Sequence, residues 1–321
     1  MLAVFAKFLS ADDPLSGLEV GERPEPEAPA GWVTVEVRAA SLNHHDLWSL
    51  KGVGLREDAL PMILGCDAAG VDADGHEVVV HSVVTSDGWR GDETLDPKRS
   101  ILSERHMGTF AERVIVPRRN LVPKPPELSF AEAACLPTAW LTAYRMLFTR
   151  ARLQPGATVL VQGAGGGVAT ALITLARAAG ARVWATSRSE EKRSRALELG
   201  ADSAFAPGAR LPERVDVVAE TVGAATWDHS LKSCKPGGTI VISGATSGDA
   251  PPAGLTRIFF LQLSVVGSTM GTRDELERLV RLCVERDVRP VIESEIPLDS
   301  ARDAFEALAG GDVFGKLVLT R

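Results

Sequence analysis

Residues 1 to about 125 are rich in Val, Pro and Gly, and their apolar positions come in short runs such as Val33-Thr34-Val35-Glu36-Val37 and Val78-Val79-Val80. Short runs broken by turn residues predict a mostly β domain. The opening Met1-Leu2-Ala3-Val4-Phe5-Ala6-Lys7-Phe8-Leu9 is interrupted by Lys7 and followed by Asp12, Asp13 and Pro14, so it reads as a strand and turn rather than a secretion signal. From Phe130 to Ala151 the chain becomes Ala- and Leu-rich and helical in pattern, stopping at Leu153-Gln154-Pro155-Gly156.

Strand and helix then alternate. Thr158-Val159-Leu160-Val161 is a compact apolar strand, and a helix from about Val168 to Ala179 closes at Gly180. Arg182–Thr186 is the next strand, and a helix over Glu190–Leu199 closes at Gly200. Further strands are predicted at Val215–Val218 and at Thr239–Ile242, the latter entered through the turn Lys235-Pro236-Gly237-Gly238. The chain ends with a helix over Asp274–Arg286, a short strand near Val291-Ile292, a helix over Ala301–Leu308 and a strand over Lys316–Leu319. This alternation is the mark of an α/β fold with a parallel sheet and helices on its faces.

Composition narrows the function classes. A chain of 321 residues suits two domains, and 45% hydrophobic with 24% charged residues excludes disorder. The 35 Lys+Arg are outnumbered by 42 Asp+Glu and are scattered, so no nucleic-acid partner is expected. No apolar run approaches the roughly 18–20 residues that cross a bilayer, so no membrane association is expected. Cys66, Cys135, Cys234 and Cys283 are dispersed, without a CxxC pair. They read as reduced thiols of a cytoplasmic protein.

The strand at 158–162 runs into Gly163-Ala164-Gly165-Gly166-Gly167-Val168-Ala169 and then a helix. In a dinucleotide site one glycine permits the tight turn, another lets the backbone approach the pyrophosphate, and a small third residue lets the helix pack. Gly163, Gly166 and Ala169 match that spacing, with Gly165, Gly167 and Val168 inside the same loop. The tip of the next strand, Thr186-Ser187-Arg188-Ser189 with Lys192 one turn on, lacks the carboxylate that holds the ribose of NAD. Hydroxyls and cations suit the 2′-phosphate of NADPH. The alternative leaves Arg188 a solvated charge and gives the ribose to Glu190 or Glu191.

Several motifs in order resemble the medium-chain dehydrogenase/reductase superfamily over essentially the whole chain. They are Ala39-Ala40-Ser41-Leu42-Asn43-His44-His45-Asp46, Pro61–Gly70, Gly108-Thr109-Phe110-Ala111-Glu112, Leu141-Thr142-Ala143-Tyr144, the glycine turn, Lys235–Gly238 and Phe314–Leu319. The resemblance implies a GroES-like β-rich catalytic domain (1–139 and 270–321) and a Rossmann, doubly wound parallel-sheet cofactor domain (140–269), with the active site between them. It also implies a homodimer or homotetramer. The apolar stretch Phe259–Val266 could lend a strand to a subunit interface or simply pack in a core.

By the same resemblance, the three positions that hold catalytic zinc in metal-dependent members carry Asn43, Cys66 and, near the third, Thr138. Only one is a good zinc ligand. Gly75-His76-Glu77 imitates the zinc triplet but precedes a strand, in a turn. Trp89–Met107, which resembles the structural-zinc lobe, contains no cysteine. No metal is therefore expected, and the chain falls with the zinc-free quinone oxidoreductases and enoyl reductases. The expected reaction is hydride transfer from NADPH to a small-molecule quinone or α,β-unsaturated carbonyl compound, which needs orientation and hydrogen-bond donors rather than a Lewis acid.

The resemblance places Asn43, His44, His45, Asp46, Cys66 and Thr142 at the reacting centre. It places Ser243, Gly244, Ala245, Ser268 and Lys316 on the cofactor, alongside Ser187, Arg188 and Lys192. At most one of the adjacent histidines should face the substrate. Tyr144, Trp140 and Trp48 read as packing residues or substrate wall. Two other readings stay open: a zinc alcohol dehydrogenase with an unusual ligand set, and a non-catalytic NADP(H)-binding redox sensor.

Overall fold

The computed structural model describes all residues, Met1–Arg321. The chain divides into two compact units, Met1–Leu141 with Met270–Arg321, and Thr142–Thr269. The first boundary lies two residues beyond the 139/140 read from sequence.

The first unit is mainly antiparallel. The long strand Trp32–Ser41 pairs with Asp67–Asp72, Arg113–Pro117 and the C-terminal strand Lys316–Thr320. The returning segment thus completes a seven-stranded sheet whose other edge reaches Glu77–Val80 and Leu121–Pro123. Val35, Val80, Leu102, Phe110 and Phe305 are fully buried in its core. Gly75 is the φ-positive tip of the turn before Glu77–Val80, where Asp72 Oδ1 accepts the backbone N–H groups of Asp74 and His76. The lobe at 86–107 is organised by aspartates. Asp92 accepts from Thr94, and Asp96 accepts from Ser86 and the Lys98 backbone.

The second unit is a six-stranded parallel sheet in the order Ser203–Phe205, Arg182–Thr186, Thr158–Val161, Val215–Glu220, Cys234–Ile242, Ser264–Gly267. Numbered along the sheet strands of this unit, that order is 3-2-1-4-5-6, the doubly wound Rossmann arrangement. Its first helix, Gly167–Ala178, buries Ala169, Ala171, Leu172, Leu175 and Ala176. The predicted turn Lys235–Gly238 is a register irregularity inside Cys234–Ile242. The 130–151 region is not one helix. Two wide π-type segments, Leu136–Trp140 and Arg145–Arg150, alternate with the α-helical Phe130–Ala134 and Leu141–Tyr144. Pro137, which has no N–H to donate, sits in the first of them.

His81 ties the returning segment to the first unit, its Nε2 donating to the Gly271 carbonyl at 2.9 Å. Burial, helped by the nearby Arg273 charge, pushes its pKa down to about 4. Below pH ~6.5 the unfolded chain takes up a proton that the folded chain refuses, so stability falls as pH drops from ~6.5 towards 4. The variant His81→Gln keeps a donor and does not titrate. Urea unfolding of the two proteins at pH 7 and pH 4.5 should show a larger acid loss in the parent; equal losses refute the assignment.

Candidate functional site

Two sets of residues stand out, one in each unit. In the second unit, Thr158–Val161 ends in a turn where Gly163 and Gly165 have φ +79° and +130°, conformations open to glycine at little cost. Gly166 is the N-cap of the Gly167–Ala178 helix and no side chain caps it, so its first-turn N–H groups are available to an anion. The turn is braced by Thr186, whose Oγ1 accepts from the Gly163 N–H and whose carbonyl accepts from Ala164. Lys192 lies across the glycines: a Cβ built on Gly165 would stand 2.9 Å from its Cδ and 3.7 Å from its Nζ. The cradle therefore fits a pyrophosphate, with a cation already over it.

At the neighbouring strand tip Ser187 is buried and Arg188 exposed. Arg193 holds this loop by donating to the carbonyls of Ser187 and Arg188 at 2.8 and 3.2 Å. Glu190 and Glu191 are exposed in the following helix, Glu190–Glu198. Behind the turn, buried Glu220 accepts from the N–H groups of Val222 and Gly223 and from the hydroxyls of Thr226 and Ser230. This pins Val222, whose Cγ2 lies 2.7 Å from where a Gly163 Cβ would be. Ser243, Gly244 and Ala245 follow Cys234–Ile242 at the same sheet edge, with Ser243 Oγ 3.0 Å from Met146 Sδ. Thr142 is 7% exposed, and the buried Ser268 hydroxyl has no partner. The sequence carried no mark of Arg193 or Glu220, whose roles depend on loops that fold back on them.

In the first unit a polar cluster is buried at the start of the helix His44–Leu50. Asn43 caps this helix, its N–H donating to Asp46 Oδ2 at 2.7 Å. The Asn43 amide is fully engaged: Nδ2 donates to Asp67 Oδ2 at 2.9 Å, and Oδ1 accepts from Lys316 Nζ at 2.7 Å. Lys316 also donates to the Leu42 carbonyl and lies 3.7 Å from Asp67 Oδ2. The ammonium expected on a cofactor phosphate is thus 2% exposed and bound by acceptors of its own unit.

His45 links two further groups, with Nδ1 3.3 Å from Cys66 Sγ and Nε2 3.2 Å from Glu104 Oε1. Burial opposes its charge, but Cys66, Glu104 and Asp46 outweigh that and raise its pKa. Burial likewise raises the Cys66 thiol, which donates to the Leu102 carbonyl, and pushes Asp46 up to about 6. Glu104 lies 59 residues from His45 and was invisible in the sequence. His44 is exposed beside Trp48, ring centroids 6.5 Å apart, so the two histidines face different surroundings. Trp140 is fully buried, and Tyr144 packs on Phe148.

Zinc does not suit the three positions named by resemblance. Asn43 already accepts from an ammonium, Thr138 offers a buried hydroxyl with no hydrogen-bond partner, and only Cys66 is a strong ligand. A different trio, His45, Asp46 and Cys66, brings one ligand atom each within 4.8 Å of one another.

Residues 29–126 match the alcohol dehydrogenase GroES-like domain family, and residues 167–285 match the zinc-binding dehydrogenase family. The chain is 32% identical over 323 residues to an acryloyl-coenzyme A reductase of Metallosphaera sedula, covering 95% of this chain and 96% of that one. It is 29% identical over 310 residues to the quinone oxidoreductase of Mus musculus, covering 89% and 88%. A crystal structure of an NAD-dependent alcohol dehydrogenase superposes with a TM-score of 0.92 at 36% identity, covering all of both chains.

Proposed function

The chain belongs to the medium-chain dehydrogenase/reductase superfamily and is an oxidoreductase; on that premise we propose that it is a cytoplasmic, NADPH-dependent, zinc-free enzyme that transfers hydride to a quinone or an α,β-unsaturated carbonyl compound. The observation that carries this reading is the donor set at the three positions named by resemblance, where Asn43 is a neutral amide already accepting from the Lys316 ammonium, Thr138 is a hydroxyl, and only Cys66 is a strong ligand. Alcohol oxidation without a Lewis acid leaves the alkoxide unsupported, whereas an already electrophilic acceptor needs only hydrogen-bond donors for its developing oxyanion. The names of the archaeal and mouse relatives support acceptors of this kind.

When bound, the cofactor supplies the hydride. The glycine turn and Lys192 hold its pyrophosphate, Ser187 and Arg188 receive the 2′-phosphate, and Ser243 to Ala245 with Thr142 orient the nicotinamide. Water is the proton source for the acceptor in this reading, and of the two histidines His44 is the exposed one, since both ring nitrogens of His45 are held by Cys66 and Glu104. No helix is long and apolar enough to cross a membrane, and all four cysteines are free and buried, as suits a reducing compartment.

Steady-state kinetics with a panel of quinones and enones should give a lower KM for NADPH than for NADH. Protein purified without chelator should hold far less than one zinc per chain. A preference for NADH, as the name of the alcohol dehydrogenase relative would suggest, refutes the cofactor assignment. Near-stoichiometric zinc moves the reading to a metal-dependent alcohol dehydrogenase, for which the His45, Asp46 and Cys66 trio is the more buried donor set; the other group, Asp72, Asp74 and His76, has Asp74 and His76 exposed in a turn. Tight NADPH binding with no turnover would make the chain a redox sensor.

The proposed partner is a second copy of the chain. Phe259 and Phe260 are 68% and 77% exposed, whereas Leu261 and Leu263 of the same stretch pack on the core of the second unit, so the stretch divides between core and surface. The two phenylalanines sit on the helix Leu255–Phe260, next to the edge strand Ser264–Gly267, whose outer backbone groups are unpaired within the sheet. Edge-to-edge pairing across a two-fold axis would cover both. Sedimentation should show a dimer or tetramer that dissociates in Phe259→Asp/Phe260→Asp; a monomeric parent protein refutes the proposal.

A further inference from the structure

The carboxyl ends of the second unit's strands are joined by a chain of polar side chains that the proposed cofactor contacts leave out. Its hub is Gln162, between the strand Thr158–Val161 and Gly163. Gln162 Oε1 accepts from the Thr186 hydroxyl at 2.7 Å, and Thr186 Oγ1 accepts from the Gly163 N–H at 3.2 Å. Gln162 Nε2 lies 2.9 Å from His229 Nδ1 and 3.0 Å from Ser230 Oγ. Beyond them, Ser230 donates to Glu220 Oε2 at 2.6 Å, and His229 Nε2 lies 2.9 Å from the Ala209 carbonyl oxygen. Gln162, Thr186, Ser230 and Glu220 are buried, and His229 is half-buried. Thr226, His229 and Ser230 share one face of the helix Ala224–Ser233 by their spacing.

Two end groups fix the protons of this chain, because each can only accept. The Glu220 carboxylate takes the proton of Ser230, so Ser230 must accept from Gln162. The Ala209 carbonyl takes a proton from His229 Nε2, so an uncharged His229 offers Nδ1 as an acceptor. Both therefore demand the NH2 of Gln162, which leaves its Oε1 for Thr186. A second proton on His229 would set N–H against N–H. Turning the amide over would satisfy His229 but set Gln162 Oε1 against the lone pairs of Ser230.

The chain of bonds straddles the place where a doubly wound sheet receives its ligand. In the order 3-2-1-4-5-6 the switch point lies between Thr158–Val161 and Val215–Glu220, and Gln162 and Glu220 stand at their carboxyl ends. Through Thr186 the hub reaches the glycine turn, and through Ser230 and Glu220 it reaches Val222, which abuts Gly163. Through His229 it reaches the loop after Ser203–Phe205. We propose that Gln162 and His229 are positioning residues for the dinucleotide: Gln162 holds these three segments at the spacing the cofactor needs, and does so only while His229 is uncharged. The proposal rests on the reading that a dinucleotide occupies the glycine turn, and it adds what sets the turn's geometry.

The full chain is titrated by calorimetry with NADP⁺ and with NAD⁺ between pH 8 and pH 5.5, a range in which imidazole side chains change charge. For the tighter dinucleotide, the parent's Kd should rise about fivefold or more at the acid end. His229→Asn keeps an acceptor near the Nδ1 position and takes up no proton, so its Kd should rise distinctly less. The charged groups around His229 are Asp228 and Lys232, paired on its own helix, Glu220 beyond Ser230, and Arg210 beside Ala209. All are common to both proteins, so the difference between the profiles belongs to the imidazole. Gln162→Glu can only accept, so a charged His229 suits it and the sign should invert: binding weaker than the parent's at pH 8 and recovering towards pH 5.5. Thermal unfolding without cofactor shows that each protein is folded at each pH. Parallel profiles for the parent and His229→Asn overturn the inference, whatever Gln162→Glu does, and so does a folded Gln162→Glu variant whose binding weakens in acid as the parent's does. A parent that binds neither dinucleotide overturns the cofactor reading itself, and this inference with it.

Discussion

Lys316→Met should lower the unfolding free energy by about 3–5 kcal/mol, because it removes one partner of a buried charge pair and leaves the other in place. The ammonium is 2% exposed and serves the Leu42 carbonyl, the Asn43 amide oxygen and, at 3.7 Å, the Asp67 carboxylate, itself 0% exposed. Methionine fills similar space but offers no proton. Asp67 then keeps its hydrogen bonds from Ser41 and Asn43 but loses its only neighbouring cation within 4 Å. Adding Asp67→Asn should restore part of the loss by removing the stranded charge. Chemical denaturation of both variants checks this; a loss under 1 kcal/mol in the single variant would show that water or another cation compensates Asp67.

Gly166→Ser should leave the fold as stable as before, or slightly more stable, and still weaken NADPH binding a hundredfold or more. Gly166 has φ −72°, and a Cβ there would meet nothing within 4 Å. The protein alone therefore has no steric need for glycine at this position. Serine is a better N-cap, because its hydroxyl accepts from the first-turn N–H groups. Those are the donors a pyrophosphate would use, and the new side chain stands where the phosphates must approach. Thermal unfolding and NADPH titration separate the two effects. A variant that binds NADPH normally would mean the cofactor avoids this turn.

Local patterns marked out much of the fold because local physics governs those parts. The glycine turn, the helix beginning at its end and the strand Arg182–Thr186 follow from backbone freedom and apolar periodicity within a few residues. Leu255–Phe260 went unrecognised as a helix because its aromatic residues face outwards, against the usual inward bias. The 130–151 region shows the opposite failure. Its composition is helical, but nothing in the sequence specifies where the backbone widens into π-type segments.

The candidate site divides along the same line. Asn43, His45, Asp46 and Cys66 were visible as residue types in motifs, but the approach of one ligand atom each from His45, Asp46 and Cys66 was not. Only the tertiary structure decided what they touch. Glu104 reaches His45 from 59 residues away, and Lys316 reaches Asn43 from 273 residues away. The sequence by itself determined two chain textures, a glycine turn leading into a helix and an acidic balance, since these depend on near neighbours and simple counts. The tertiary structure decided that the C-terminal lysine is locked inside the first unit, that one histidine is held between a thiol and a carboxylate, and that the Gln162 amide meets a serine 68 residues away. Burial and the pairing of charges are properties of distances between remote segments, and no local pattern encodes them.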